Sequence, residues 1–126
     1  MVTEPKHLEK EGEYDYDYLN DIIFFKAKDR EYAKSIELDN VVVDIDEEDF
    51  IVGVQIFNPT ELFGLTKETL RNIRKWEFQA RVDENRLEVK IFFQTMFRNK
   101  IIEPRPVLIE PLKQPLPNSQ MICAVR

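Results

Sequence analysis

Trp76, Phe78, Ala80 and Val82 alternate with Glu77, Gln79 and Arg81, and after Asp-Glu-Asn-Arg the alternation resumes through Leu87, Val89, Ile91 and Phe93. A period of two over this length belongs to strands with one buried face. With Glu84-Asn85 as the turn, Val82 faces Leu87, Ala80 faces Val89, Phe78 faces Ile91 and Trp76 faces Phe93. The same register sets Arg81 opposite Glu88, a favourable cross-strand pair. A slip of one residue would send apolar side chains to the wrong face, so one hairpin register is specified. Any fold for this chain must accommodate that hairpin.

The preceding residues carry the same signal in shorter pieces. Tyr14, Tyr16 and Tyr18 alternate with Asp15 and Asp17, then Ile22 to Phe25 form an apolar run, with Asn20-Asp21 as a bend. YAKSIEL, VVVDI and FIVGVQIF read as further strands, the first two joined by Asp39-Asn40, a pair that tolerates positive φ. After Asn58-Pro59 the period changes. Thr66 is an N-cap for KETLRNIRKW, and Leu65, Thr69, Leu70 and Ile73 have helical spacing. Residues 1–13 are polar and aperiodic and read as a flexible tail. EPRPVLIEPLKQPLP holds five of the seven prolines, which predicts an extended arm over 101–126 rather than a strand inside a sheet. The expected architecture is α+β: residues 14–100 form one domain, mainly an antiparallel sheet of about six strands with one short helix, and the Pro-rich arm packs on it or on a partner subunit.

At 126 residues the chain has the length of one domain. A charged fraction of 33% suits a thermophilic protein as well as many mesophilic ones. Residues 1–63 hold six Lys/Arg against 17 Asp/Glu, and residues 64–126 hold 12 against seven. Such asymmetry suits a nucleic-acid surface or complementary subunits, or simply two halves interleaved in one sheet. The single cysteine, Cys123, excludes an internal disulfide and fits a reducing cytoplasm, although it could bridge two chains. No apolar run approaches the ~18 residues of a membrane span, and the N-terminal residues lack the pattern of a signal peptide. A cytoplasmic location is expected.

Chemistry is thinly supplied. His7 is the only histidine, so Ser–His, Cys–His and multi-His zinc sites lack their ligands. Three glycines and no P-loop, G-x-G-x-x-G or G-x-S-x-G pattern leave little to cradle phosphate. The acidic run DIDEED, Asp44 to Asp49, fails as an EF-hand: its sixth position is Asp49 rather than Gly, and its twelfth is Gln55 rather than Glu. It reads as a solvated turn between apolar strands. Asp17 and Asp21 share a strand face and could act as a carboxylate pair. With Asp44 and Asp46 they make the acidic set on which a divalent-metal hydrolase would have to rest. No catalytic, cofactor-binding or metal residue is assigned.

Binding surfaces are better supplied. Lys67, Arg71, Arg74, Lys75, Arg81, Arg86, Lys90, Arg98 and Lys100 interleave with Trp76, Phe92, Phe93 and Phe97, a composition that could stack on single-stranded nucleic acid. Against this, most of those aromatics fall on the core side of the hairpin and the pI is about 4.9. Phe92 and Met96 fall on the polar side, which predicts a strand covered on both faces. Val107, Leu108 and Ile109 give the arm an apolar stretch that needs a surface to pack on.

YDYLNDIIFF followed by SIELDNVVVDIDEEDFIVGVQIFNPTELF resembles the DUF2283 family, small bacterial and archaeal proteins of unknown function. Tyr16, Asp17, Asp21, Asp46, Gly53, Val54 and Ile56 occupy the positions of the family pattern, over about residues 14–64. Two positions depart from it. Asp49 stands where the family has a turn glycine, and Gln55 where it has Glu; if that Glu is catalytic in relatives, this chain lacks it. The resemblance implies a small antiparallel sheet and no established activity, and a neighbourhood of small toxin-like proteins that suits an interaction role. The resulting expectation is a non-catalytic interaction module without a cofactor. It would pair with itself as a homodimer, or with another small protein, through Phe92, Met96 and Val107 to Ile109. A single-stranded nucleic-acid binder and a divalent-metal hydrolase are the alternatives, and no membrane role is expected.

Overall fold

The computed structural model describes residues 6–125. The alternating segments become β1 (Lys6–Asp17), β2 (Ile22–Ala27), β3 (Lys34–Leu38), β4 (Val41–Ile45) and β5 (Ile51–Phe57). Two five-residue helices follow, α1 (Pro59–Phe63) and α2 (Lys67–Arg71). The second half supplies β6 (Lys75–Asp83), β7 (Arg86–Phe97), β8 (Lys100–Ile102), β9 (Val107–Pro111) and β10 (Ser119–Val125).

All ten strands belong to one sheet in the order β3-β4-β5-β2-β1-β10-β6-β7-β8, with β9 also paired to β7. Every pairing is antiparallel except β1 with β10. The expected fold of about six strands plus an extended Pro-rich arm is therefore wrong. The molecule is a ten-stranded mixed sheet with two short helices.

The prolines do not keep this segment out of the sheet. They sit between strands or at strand ends: Pro104 and Pro106 precede β9, Pro111 closes it, and Pro115 and Pro117 precede β10. Pro106 still contributes a carbonyl, which accepts from Ile91 N at 2.9 Å. Beyond Pro117 the chain is free of proline and alternates, with Ser119, Met121 and Cys123 fully buried.

The polar segment before Tyr14 also enters the sheet from Lys6 onward, contrary to the flexible tail expected over 1–13. Lys6 to Glu11 pair in parallel with Ser119 to Ala124, and Gly12 to Asp17 then pair with β2. One long strand thus changes neighbour at Gly12. Residues 1–5 of the expected tail lie outside the described residues.

The central hairpin has the register read from its alternation, including Trp76 with Phe93, Phe78 with Ile91 and Arg81 with Glu88. Glu84 and Asn85 both adopt positive φ, as a tight two-residue turn requires. Thr66 caps α2 by accepting from Thr69 N. The helix ends at Arg71, short of the expected run through Trp76, because Arg74 N already bonds Gln94 O and Trp76 is needed in β6. Buried Thr95 holds α2 to the sheet by donating to Thr69 O at 2.5 Å.

A single core fills the inside of the coiled sheet. Ile23, Phe25, Val43, Ile45, Val54 and Ile56 come from one half, and Trp76, Phe78, Leu87, Val89, Ile91, Phe93 and Met121 from the other. Phe25 meets Trp76 with ring centroids 4.9 Å apart, which joins the halves at the middle of the sheet.

Candidate interaction surface

β7 presents Leu87, Val89, Ile91 and Phe93 to the core, so Glu88, Lys90, Phe92, Gln94 and Met96 form its outer face. Pairing with β9 sets Val107 beside Lys90 and Ile109 beside Glu88. Both apolar side chains therefore stand on that outer face, 51% and 48% exposed. Leu108 lies opposite Val89 and packs on the core instead. The structure thus brings Phe92, Met96, Val107 and Ile109 to one side of the sheet and turns Leu108 to the other.

Alternation in β7 makes Phe92 and Met96 legible in the sequence. It does not reveal Ile101, which pairs with Met96 across the β7–β8 turn and is 59% exposed. The available signal was Asn99, which with Arg98 supplies the two positive-φ residues of that turn. Arg105 lies over Phe92, its guanidinium carbon 4.4 Å from the ring centroid, a stacked cation–π contact at the centre of the apolar row. Glu88 and Lys90 pair with each other at 3.5 Å at its edge.

The acidic residues occupy separate places and perform separate local tasks. Asp46 is nearly buried, and its Oδ1 accepts from Glu48 N at 3.0 Å and Phe50 N at 2.9 Å. Its Oδ2 lies 2.7 Å from Arg30 Nη2 in an ion pair, and the same guanidinium covers Phe50. Asp49 closes the turn with φ 66°, a left-handed conformation that aspartate tolerates. Asp44 accepts from Ser35 Oγ at 2.7 Å and from Gln55 Nε2 at 3.4 Å. A Glu at position 55 could not donate that second bond while ionised.

Asp21 and Asp17 organise the turn between β1 and β2. Asp21 accepts from Tyr16 Oη at 2.6 Å and Thr60 Oγ1 at 2.5 Å, and its carbonyl accepts from Asn58 N. Burial, then the bond to Asp21, pushes the Tyr16 phenol well above the ordinary tyrosine range. Asp17 accepts from the side-chain and backbone nitrogens of Asn20, bonds that hold its carboxyl below the ordinary range. Among the described residues, no three His, Cys, Asp or Glu side chains are grouped to hold a metal ion.

The aromatics offered for nucleic-acid stacking divide as well. Trp76 and Phe93 are buried and Phe92 is covered by Arg105, while Phe97 is partly exposed beside Arg98. Tyr18 is exposed between Lys67 and Arg71, whose charged groups lie 5.2 and 4.9 Å from its ring centroid. Cys123 is fully buried, and burial pushes its thiol up to about 12. Among the described residues no helix is long and apolar enough to cross a membrane.

A family model described as "Protein of unknown function (DUF2283)" matches residues 13–58, the span from mid-β1 to the end of β5. A protein of Methanosarcina mazei named "Putative hypoxanthine phosphoribosyltransferase" is 38% identical over 90 residues, which cover 71% of this chain and 73% of that protein. An uncharacterised protein of Methanocaldococcus jannaschii is 30% identical over 89 residues, covering 70% and 77%. No solved structure matches the chain. With its Tyr16-Asp17 and Asp21 turn, its Asp46 turn and Gly53 in place inside the matched span, the chain belongs to the DUF2283 family of proteins of unknown function.

Proposed function

We propose that this chain is a non-catalytic protein-interaction module that forms a homodimer through the outer face of β7, β8 and β9. The observation that carries the reading is the row of Phe92, Met96, Ile101, Val107 and Ile109 on one face. Ile109 and Val107 adjoin Phe92, and Met96 with Ile101 lies beyond the Gln94–Glu103 hydrogen bond, so a partner covering this face buries two neighbouring apolar patches. A second copy suits the rim: Glu88 and Lys90 are adjacent, so a two-fold contact can set each against its opposite in the other chain.

The acidic side chains give little support to hydrolysis, since each is committed to a turn or a hydroxyl within the fold. The name of the Methanosarcina mazei relative is not extended to this chain either. Phosphoribosyl transfer calls for backbone amides that cradle phosphate, often in a glycine-rich loop. Here Gly12 is packed under Trp76, Gly53 against Asp44, and Gly64 ends α1.

Sedimentation equilibrium across a wide concentration range tests the dimer. The expected result is a concentration-dependent dimer that Ile109→Lys and Val107→Glu each weaken by about tenfold or more, from loss of a buried apolar contact, with unchanged circular dichroism. A wild-type chain that stays monomeric throughout overturns the homodimer.

A further inference from the structure

We infer that the open seam between β3 and β9 takes an extended basic segment of a partner protein, added to the sheet as an extra strand. β3 stands at one end of the strand order, and β9 borders the other end through β7. The sheet coils until these ends face each other across a groove of about 400 Å³, lined on one side by Ser35 to Asp39 and on the other by Glu110, Pro111, Lys113 and Gln114. A second cavity of about 150 Å³ shares Leu38, Asp39 and Glu110 and reaches Val41, Leu87 and Val89 in the core. No strand pairing joins the two walls.

The backbone of β9 is prepared for a neighbour. Ile91 N donates to Pro106 O, and Leu112 N donates to Asn85 O. Hydrogen-bonding direction alternates along an antiparallel strand. Residues 108 and 110 therefore turn their amides toward β7, and Val107 and Ile109 turn theirs toward the seam. Because β3 and β9 run in opposite directions, an inserted strand is antiparallel to one wall and parallel to the other, as β1 already is between β2 and β10.

Charge selects the occupant. Glu110 lies opposite Leu87 on the inward side of β9, half-buried, and forms no ion pair or side-chain hydrogen bond among the described residues. Glu37 and Asp39 on the facing wall are likewise unpaired, against the single cation Lys113. An inward charge and a proline on an edge strand repel generic apolar strands. They leave one well-matched guest: a strand with an apolar residue beside Leu108 and, two positions along, a Lys or Arg beside Glu110. This is strand addition with a charge filter. It uses the backbone edge of β9, whereas the outer-face row uses the side chains of Val107 and Ile109.

The probe is a capped, fluorescein-labelled peptide Thr-Thr-Ile-Thr-Lys-Thr-Thr, with a counterpart carrying Glu in place of Lys. Anisotropy is read below and above the self-association range, so failure of the dimer does not decide the result. The Lys peptide is expected to bind about tenfold tighter or better, the scale of one charge-assisted contact. Glu110→Lys should reverse the preference and Glu110→Gln should abolish it. Asp15→Lys, the same charge change at an exposed position of β1, should leave it intact. Amide exchange at Val107 and Ile109 should slow when the Lys peptide is bound. Equal binding of both peptides overturns the inference. So does an Asp15→Lys effect as large as that of Glu110→Lys, or exchange protection that appears away from β3 and β9.

Discussion

Gly12 lies directly beneath Trp76: a β-carbon at position 12 would overlap both the indole and the sulfur of Cys123. This is also where β1 leaves β10 and takes up β2. Close approach, rather than backbone conformation, makes glycine necessary there. Gly12→Ala should destabilise the fold by about 2–3 kcal/mol, the range of overpacking in a tight core. Urea titration followed by Trp76 fluorescence measures it, and a change below about 0.5 kcal/mol would contradict this packing.

Asp21 joins two segments that would otherwise meet only through backbone. With Tyr16 and Thr60 both donating to its carboxylate, Asp21→Ala leaves two hydroxyls without their acceptor. A cost of about 2–3 kcal/mol is expected. Asp21→Asn should cost less, because Asn tolerates the positive φ of 54° and keeps one acceptor. Thermal melts of the two variants should preserve that order.

The acidic turn depends on Asp46 more than on Arg30. Asp46→Ala removes the acceptor of two backbone amides and leaves the half-buried Arg30 guanidinium with only exposed Glu48, at 3.4 Å, as a partner. About 2–4 kcal/mol should be lost. Arg30→Met leaves Asp46 bonded within the turn and keeps an apolar stem against Phe50, so about 1 kcal/mol is expected. Chemical denaturation of both variants tests the ranking.

Cys123 gives the fold an alkaline weakness. Its thiol is held at about 12 against an ordinary 9.0. The folded chain therefore keeps this proton where the unfolded chain releases it. The contribution is complete below about pH 9 and is lost as pH rises from there toward 12. The slope attributable to this group is about 1.4 kcal/mol per pH unit. Lysines also titrate in this window, so the measurement is the difference in stability between wild type and Cys123→Ala as pH is raised. A flat difference would contradict the burial effect.

Residues with near neighbours in sequence declare their structure early. Trp76 to Phe93 form one hairpin whose register follows from alternation, and Thr66 and Asp39 act at the local positions their side chains favour. Lys6 to Glu11 could not be read in this way, since they are polar and their partners are Ser119 to Ala124 at the other end of the chain. No local pattern encodes a parallel pairing over that separation. The candidate surface divides similarly. Phe92 and Met96 follow from the hairpin, whereas Val107 and Ile109 join them only because β9 pairs with β7, a pairing hidden by the flanking prolines. Leu108 shares an apolar stretch with Val107 and Ile109, and strand alternation turns it to the core side.

The position of β10 also bears on the order in which the molecule can be completed. Synthesised after the other nine described strands, it belongs in the middle of the sheet, between β1 and β6. While residues 119–125 are still inside the ribosome, the emerged chain can form two partial sheets, each with an open margin where β10 will lie. Their union requires contacts between residues far apart in sequence, which slows folding. During that interval the unfilled margins can capture strands from neighbouring chains. Slow translation or crowded nascent chains would thus expose this protein at its centre, the part that the finished sheet encloses on both sides.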